Sequence, residues 1–180
     1  DRLASQGILF SQFYVCSGVC SPSRAAVMTG RFPAHWGIHG HFAGHELNVQ
    51  RGMPDWLDPS ATTVTGLLQE GGYAVGHFGK WHLGRGQEAP DTADYGIGES
   101  KTFNGVGSAI EIPDGRARST EVIIDETISF IEKHQDEPFF VQSWLLDTHA
   151  TLDPTDEQME PYRNFTAGGM EDKNKGALRV

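Results

Sequence analysis

Cysteine is scarce in this chain: Cys16 and Cys20 are the only two in 180 residues. Two are too few for a disulfide scaffold, and the gap between them is not the spacing of a common zinc or redox motif. No apolar run approaches the length that crosses a bilayer, and the first residues lack the basic-then-apolar pattern of a signal peptide. The segment therefore carries no information about export. Basic residues are also few. Lys+Arg 14 against Asp+Glu 24 leaves a formal net charge of -10, which opposes nucleic acid and anionic membrane surfaces as general partners. A local anion site is compatible with that balance. Gly and Pro are scattered without period and 38% of residues are apolar, so neither a collagen-like nor a disordered composition fits. The length suits one ordinary domain, or part of one, and is too short to argue for two.

What is present alternates between strand and helix patterns. Residues 7–15 mix aromatic and branched side chains and stop at Cys16-Ser17-Gly18, which predicts a strand entering a loop. Ser21 and Pro22 then sit where a helix N-terminus wants them, Ala25 to Met28 sustain the helix, and Gly30 ends it, leaving Cys20 at its start. Residues 32–58, rich in Gly, His, Pro and Trp without period, read as a long surface loop, and such loops are usually functional. Ser60 or Thr62 caps a short helix with Val64, Leu67 and Leu68 on its apolar face; Gly71-Gly72 ends it, and 73–78 reads as a strand. Residues 85–118 read as loop with short strands at most. Ser119 caps a second amphipathic helix carrying Ile124, Ile128 and Ile131 up to about Lys133. Pro138 opens a strand over 139–146 with the near-continuous large side chains of a strand covered on both faces. Helices between buried strands predict an α/β sheet, mainly parallel. Beyond His149 no pattern closes a domain.

Three groups of residues bear chemistry. Cys20-Ser21-Pro22-Ser23-Arg24 sets a cysteine at a helix start, where unpaired N–H groups and the dipole favour an anion, with an arginine one turn inside. For an isolated cysteine, an ordinary buried thiol beside a cap is the competing reading. In Gly79-Lys80-Trp81-His82-Leu83-Gly84, extended geometry projects Lys80 and His82 to one side and Trp81 to the other. A cation and a titratable base then share a surface. His149 follows the buried strand, where parallel sheets place ligand-binding groups. Asp147 either orients His149 or ends the strand. His35, His39, His41 and His45 lack the cysteines or helical register of a zinc site and read as loop or substrate-rim residues.

The longer string from Cys20 through Ala25-Ala26-Val27-Met28-Thr29-Gly30-Arg31, with Gly37 beyond, closely resembles the first signature of the type I, formylglycine-dependent sulfatases. The segment from Gly72 to Gly84 resembles the second signature, in the right order and spacing, and the overall similarity leans toward the arylsulfatase and N-acetylgalactosamine-6-sulfatase branch. The resemblance implies an alkaline-phosphatase-like α/β fold, mainly parallel and flanked by helices, incomplete in this chain. It also implies oxidation of Cys20 to formylglycine by a formylglycine-generating or related maturation enzyme. One hydroxyl of the hydrated aldehyde would attack sulfur and the other expel sulfate. Arg24 would hold the formylglycine, Lys80 would bridge it to a sulfate oxygen, His82 would assist elimination, and His149 would protonate the leaving oxygen. At His149 the family commonly has Pro two residues later, whereas Thr151 stands here.

Calcium, or magnesium, is the implied metal, with Cys20 as formylglycine supplying one oxygen and the remaining ligands outside this chain. The family's upstream Asp-Asp pair and its downstream Asp-Asn or Asp-His pair and lysine are not recognisable here. Residues 1–180 are thus expected to be a partial catalytic domain, missing the first strand and the C-terminal part and feebly active at most by themselves. The expected substrate is a sulfated small molecule or glycan. A periplasmic, secreted or lysosomal location is implied. A phosphatase or phosphodiesterase of the same superfamily, or a non-catalytic relative that binds sulfated glycans, are the rival readings. The first normally has Ser or Thr in place of Cys20.

Overall fold

The structure is a computed structural model that describes residues 2–112, 116–147, 149 and 154–162. Its elements are α1 (Arg2–Gln6), α2 (Cys20–Thr29), α3 (His45–Gln50), α4 (Val64–Glu70), β1 (Ala74–Lys80), β2 (Glu99–Phe103), α5 (Ser119–Lys133), β3 (Phe139–Trp144) and α6 (Asp156–Met159). Short 3-10 turns lie between them. The three strands form one sheet in the order β2-β1-β3, and β1 pairs in parallel with both neighbours. The predicted parallel α/β arrangement is therefore present.

β1 is central and covered on both faces, with Val75 to Lys80 all buried. On one face Val75 and Trp81 join a core with Ala25 and Met28 of α2 and with Ile38, Phe42, Leu57 and Tyr95. On the other, Phe78 packs with Ile123 and Phe130 of α5. Gly76 makes that second contact possible: a Cβ there would stand 2.9 Å from the Phe130 ring. This close approach also corrects the face predicted for α5. Ile123, Thr127 and Phe130 are buried, whereas Ile124 is 38% and Ile128 46% exposed. The helix rolls by about one residue, roughly 100°, from the expected orientation because the aromatic ring fits over the glycine. Ser119 lies inside α5 rather than capping it, with its hydroxyl buried and unpartnered among the described residues.

Other expectations change for related reasons. Residues 7–15 form no strand, and Ile8, Phe10 and Phe13 are largely exposed. β-propensity needs a neighbour to complete the ladder, and none of the described residues supplies one. Residues 32–58 are not a mere surface loop. They hold a 3-10 turn and α3, and they bury Ile38, Phe42, Met53 and Leu57. Buried Asn48 ties them together, accepting from Ala43 N at 2.9 Å and donating to Asp55 Oδ1 at 2.8 Å. α4 is capped by Thr63, whose hydroxyl accepts from Gly66 N at 3.0 Å, not by Ser60 or Thr62. It buries Thr65 and leaves Leu67 58% exposed. Gly71 and the exposed Gly72 do follow its end. Within 85–118 lies β2, a partner of β1, preceded by a turn that an Asp91 capping box closes. β3 ends at Trp144 and, lying at the sheet edge, has only Gln142 fully buried rather than both faces covered.

Candidate active site

α2 starts at Cys20, and what aims it is the turn before it. Ser23 Oγ donates to Ser17 O at 2.5 Å and accepts from Ser17 N at 3.2 Å, while Ser17 Oγ accepts from Val19 N at 3.1 Å. Pro22 is buried in the first helical turn, where the missing N–H breaks no helix bond. Ser21, fully buried, accepts from Phe42 N at 3.1 Å and so pins the start of α2 to the 32–58 segment. The two serines of the motif therefore act on the backbone around Cys20. Gly30 ends the helix in the left-handed conformation, as expected.

The second motif reaches the same place from the end of β1. Lys80 is its last residue and is buried. Trp81 turns the other way, into the core, against Tyr95 at 5.4 Å between rings. His82 adopts φ 55, a left-handed conformation that folds its ring back toward α2. Its Nδ1 lies 3.1 Å from Cys20 Sγ and its Nε2 3.1 Å from Phe42 O. A carbonyl only accepts, so Nε2 carries the proton; in a neutral ring Nδ1 is then the acceptor for the Cys20 thiol. Phe42, through its N–H and its carbonyl, serves both motifs. Burial pushes the Cys20 thiol up, but the His82 hydrogen bond and charge, then the Lys80 charge, outweigh it and hold it at about 7.

Arg24, on the next turn of α2, donates from Nη1 to Lys80 O at 2.9 Å, and its guanidinium lies 4.5 Å from the centroid of the Trp144 ring. Burial lowers its pKa to about 10, which leaves it ionised at neutral pH. Burial likewise lowers Lys80, with the Cys20 charge opposing and the Arg24 charge assisting. Beneath them His77 is fully buried, edge-on to Trp81 at 5.1 Å and to Trp144 at 5.0 Å, with Nδ1 3.3 Å from Gln142 Oε1. Burial drives it down to about 4, so it is neutral.

Cys20, Arg24, Lys80 and His82, separated by up to 62 residues, thus converge on one spot. His149 is exposed in the turn after β3, its N–H bonded to Leu146 O at 3.0 Å. Parallel pairing sets that turn at the same sheet edge as Lys80. Thr151 lies outside the described residues. Asp147 accepts a hydrogen bond from Thr120 at the start of α5. Of the loop histidines, His41 comes within 6.2 Å, ring to ring, of His82, while His45 bonds Asp55 at 2.7 Å. Spacing alone pointed to neither Phe42, whose contribution is backbone, nor Trp144 and His77. Their only signal was large side chains on adjacent strands.

Calcium or magnesium takes carboxylate and carbonyl oxygens. The side chains gathered at Cys20 are an imidazole and two cations, and no group of three or more His, Cys, Asp or Glu collects among the described residues. That donor set does not fit a hard dication.

A family model described as Sulfatase matches residues 1–176. The chain belongs to the sulfatase family. It is 33% identical over 186 residues to the N-acetylgalactosamine-6-sulfatase of Canis lupus familiaris, covering 84% of this chain and 35% of that protein. To the arylsulfatase of Hemicentrotus pulcherrimus it is 27% identical over 188 residues, covering 87% of this chain and 33% of the relative. This sulfatase chain therefore spans about a third of the length of the curated relatives it matches. Among solved structures, Ps i-CgsB superposes with TM-score 0.68 at 24% identity, over 92% of this chain and 42% of that one. A structure concerned with metabolism of multiple glycosaminoglycans by Bacteroides thetaiotaomicron gives TM-score 0.71 at 21% identity, over 87% and 47%. These likenesses carry the fold, the partial alkaline-phosphatase-like α/β sheet expected of a sulfatase.

Proposed function

We propose that the whole protein of which this chain forms part is a sulfuric ester hydrolase, with residue 20 as its nucleophile after conversion to formylglycine. The observation that carries this reading is the convergence on Cys20 of His82 Nδ1, at 3.1 Å, with the charges of Lys80 and Arg24, in a member of the sulfatase family. An aldehyde hydrate at that position brings two hydroxyls, one to attack sulfur and one whose deprotonation releases sulfate.

The chain's own residues do the rest. Arg24 and Lys80, both ionised and partly desolvated, hold a sulfate oxygen and offset its charge where water screens little. His82, with its proton fixed on Nε2 by the Phe42 carbonyl, presents a basic Nδ1 to residue 20 and accepts the proton whose loss drives release. His149, at the same sheet edge, gives a proton to the leaving alcohol. No step runs through a metal, because the described side chains do not fit one.

The substrate proposed is a sulfated carbohydrate. One relative is an N-acetylgalactosamine-6-sulfatase, and a structural neighbour with TM-score 0.58 was solved with its substrate D-glucosamine-2-N,6-O-disulfate. Those names describe those proteins, and the class of substrate is carried to this chain as part of the proposal. A maturation enzyme that oxidises Cys20 is the implied partner, and a periplasmic, secreted or lysosomal site the implied location. No described helix is long and apolar enough to cross a membrane. The test is mass spectrometry of the peptide containing residue 20 from the whole protein, alongside turnover of sulfate and phosphate esters. Aldehyde at residue 20 with sulfate-ester turnover that Cys20→Ala abolishes is expected. Undiminished turnover in that variant, or preference for phosphate esters, refutes the proposal.

A further inference from the structure

We infer that Trp144 is the positioning residue of Arg24, holding the guanidinium on its indole face so that the cation stays beside residue 20 without being neutralised. The inference rests on the anion-holding role proposed for Arg24. A partly buried arginine normally meets a carboxylate. Here the charge acting on it is that of Cys20, and no carboxylate contributes. What fixes the guanidinium is one hydrogen bond to Lys80 O at 2.9 Å and the ring of Trp144, 4.5 Å away. Its Nε is buried without a partner among the described residues. A carboxylate in that place would orient the arginine equally well and cancel its attraction for a sulfate. An aromatic face attracts a cation and leaves its net charge intact.

The surroundings hold the indole in place. Trp144 is paired with Gly79 across the β1–β3 ladder, and a Cβ on Gly79 would stand 2.1 Å from Trp144 O. Gly79, at φ 107, is thus the residue that lets the end of β3 approach so closely. His77 meets the Trp144 ring edge-on, at 5.0 Å and 89°. Because burial keeps His77 neutral, it braces the ring without adding a second cation to repel Arg24. The glycine of the Gly79-to-Gly84 motif and the tryptophan of β3 are in this way parts of one device that acts on the arginine of α2.

The experiment is a double-mutant cycle in the whole, matured protein, read by calorimetric titration with inorganic sulfate and by kcat and KM. Trp144→Leu is expected to weaken sulfate binding roughly tenfold and Trp144→Phe, which keeps an aromatic face, by less than about threefold. In an Arg24→Ala background neither substitution is expected to weaken binding further, a result a merely structural role for Trp144 would not produce. Should the leucine variant not fold, the phenylalanine variant and Trp144→Met pass through the same cycle. The inference is overturned if Trp144→Leu, or Trp144→Met in its place, binds sulfate within about twofold of the unsubstituted protein. It is equally overturned if the losses persist without Arg24, or if the unsubstituted protein binds no sulfate. Sulfate binding needs no turnover, so an unsubstituted protein that binds sulfate yet cleaves no sulfate ester counts against the proposed function and leaves this cycle readable.

Discussion

Acid should unfold this chain partly through His77. The side chain is completely buried between two indoles, and its folded-state pKa is about 4 against an ordinary 6.5. Above pH 6.5 the ring is neutral in both states and has no effect on the pH dependence. Between 6.5 and about 4 the unfolded chain takes up a proton that the folded chain refuses, so stability falls as pH falls. Below about 4 both states are protonated and the loss levels off. The gap corresponds to roughly 3 kcal/mol, a substantial fraction of the stability of a typical domain. Nearby carboxylates titrate over the same range, so the measurement is a difference. Urea unfolding of the unsubstituted chain and of His77→Phe is followed at intervals between pH 7 and pH 4. The variant loses the Gln142 contact at every pH, which offsets its whole curve, but its stability should decline less steeply with acid by about 3 kcal/mol over the range. Parallel curves for the two proteins would refute the argument, because they would mean that the buried ring accepts its proton as readily as an unfolded one.

The thiol of Cys20, held at about 7 in opposition to burial by His82 and Lys80, should be alkylated by iodoacetamide at pH 7 faster than the exposed Cys16. His82→Asn should slow it, and peptide mass spectrometry against time reads both. Gly79→Ala should cost about 3 kcal/mol or more, or prevent folding, since a Cβ would collide with Trp144 O from a backbone at φ 107; thermal melts and the yield of folded protein check this. Thr63→Ala, which removes the cap of α4 and the buried hydroxyl bond to Tyr95 O at 3.0 Å, should lower stability by about 1 to 2 kcal/mol, with Thr63→Ser recovering most of it. His134 works in the opposite sense to His77. Hydrogen bonds to Glu137 and then Glu99 raise its pKa, so its contribution is present below pH 6.5 and is lost as pH rises through the raised value. A His134→Gln comparison at pH 6 and pH 8 reads the sign.

Local order along the chain was legible where a residue's behaviour depends on its immediate neighbours. The helix that begins at Cys20 and ends at Gly30, the strand before the Gly79-to-Gly84 motif, the helix up to Lys133 and the strand after Pro138 all follow from caps, period and punctuation within a few residues. The residue types of both motifs were equally plain, and with them the family. Only tertiary structure decided what those elements face. Whether 7–15 forms a strand depends on a partner for its ladder, and which side of α5 is buried depends on a glycine more than fifty positions away in β1 that admits the Phe130 ring. Whether 32–58 is loop or core depends on Asn48 and on the apolar residues it buries. The proton on His82 is placed by the carbonyl of Phe42, and the charge of Arg24 is kept by an aromatic face on another strand. Sequence determines which side chains and which local conformations are available. Distances of a few ångströms between residues far apart in the chain, on which proton positions and charge depend, exist only once the sheet has brought them together.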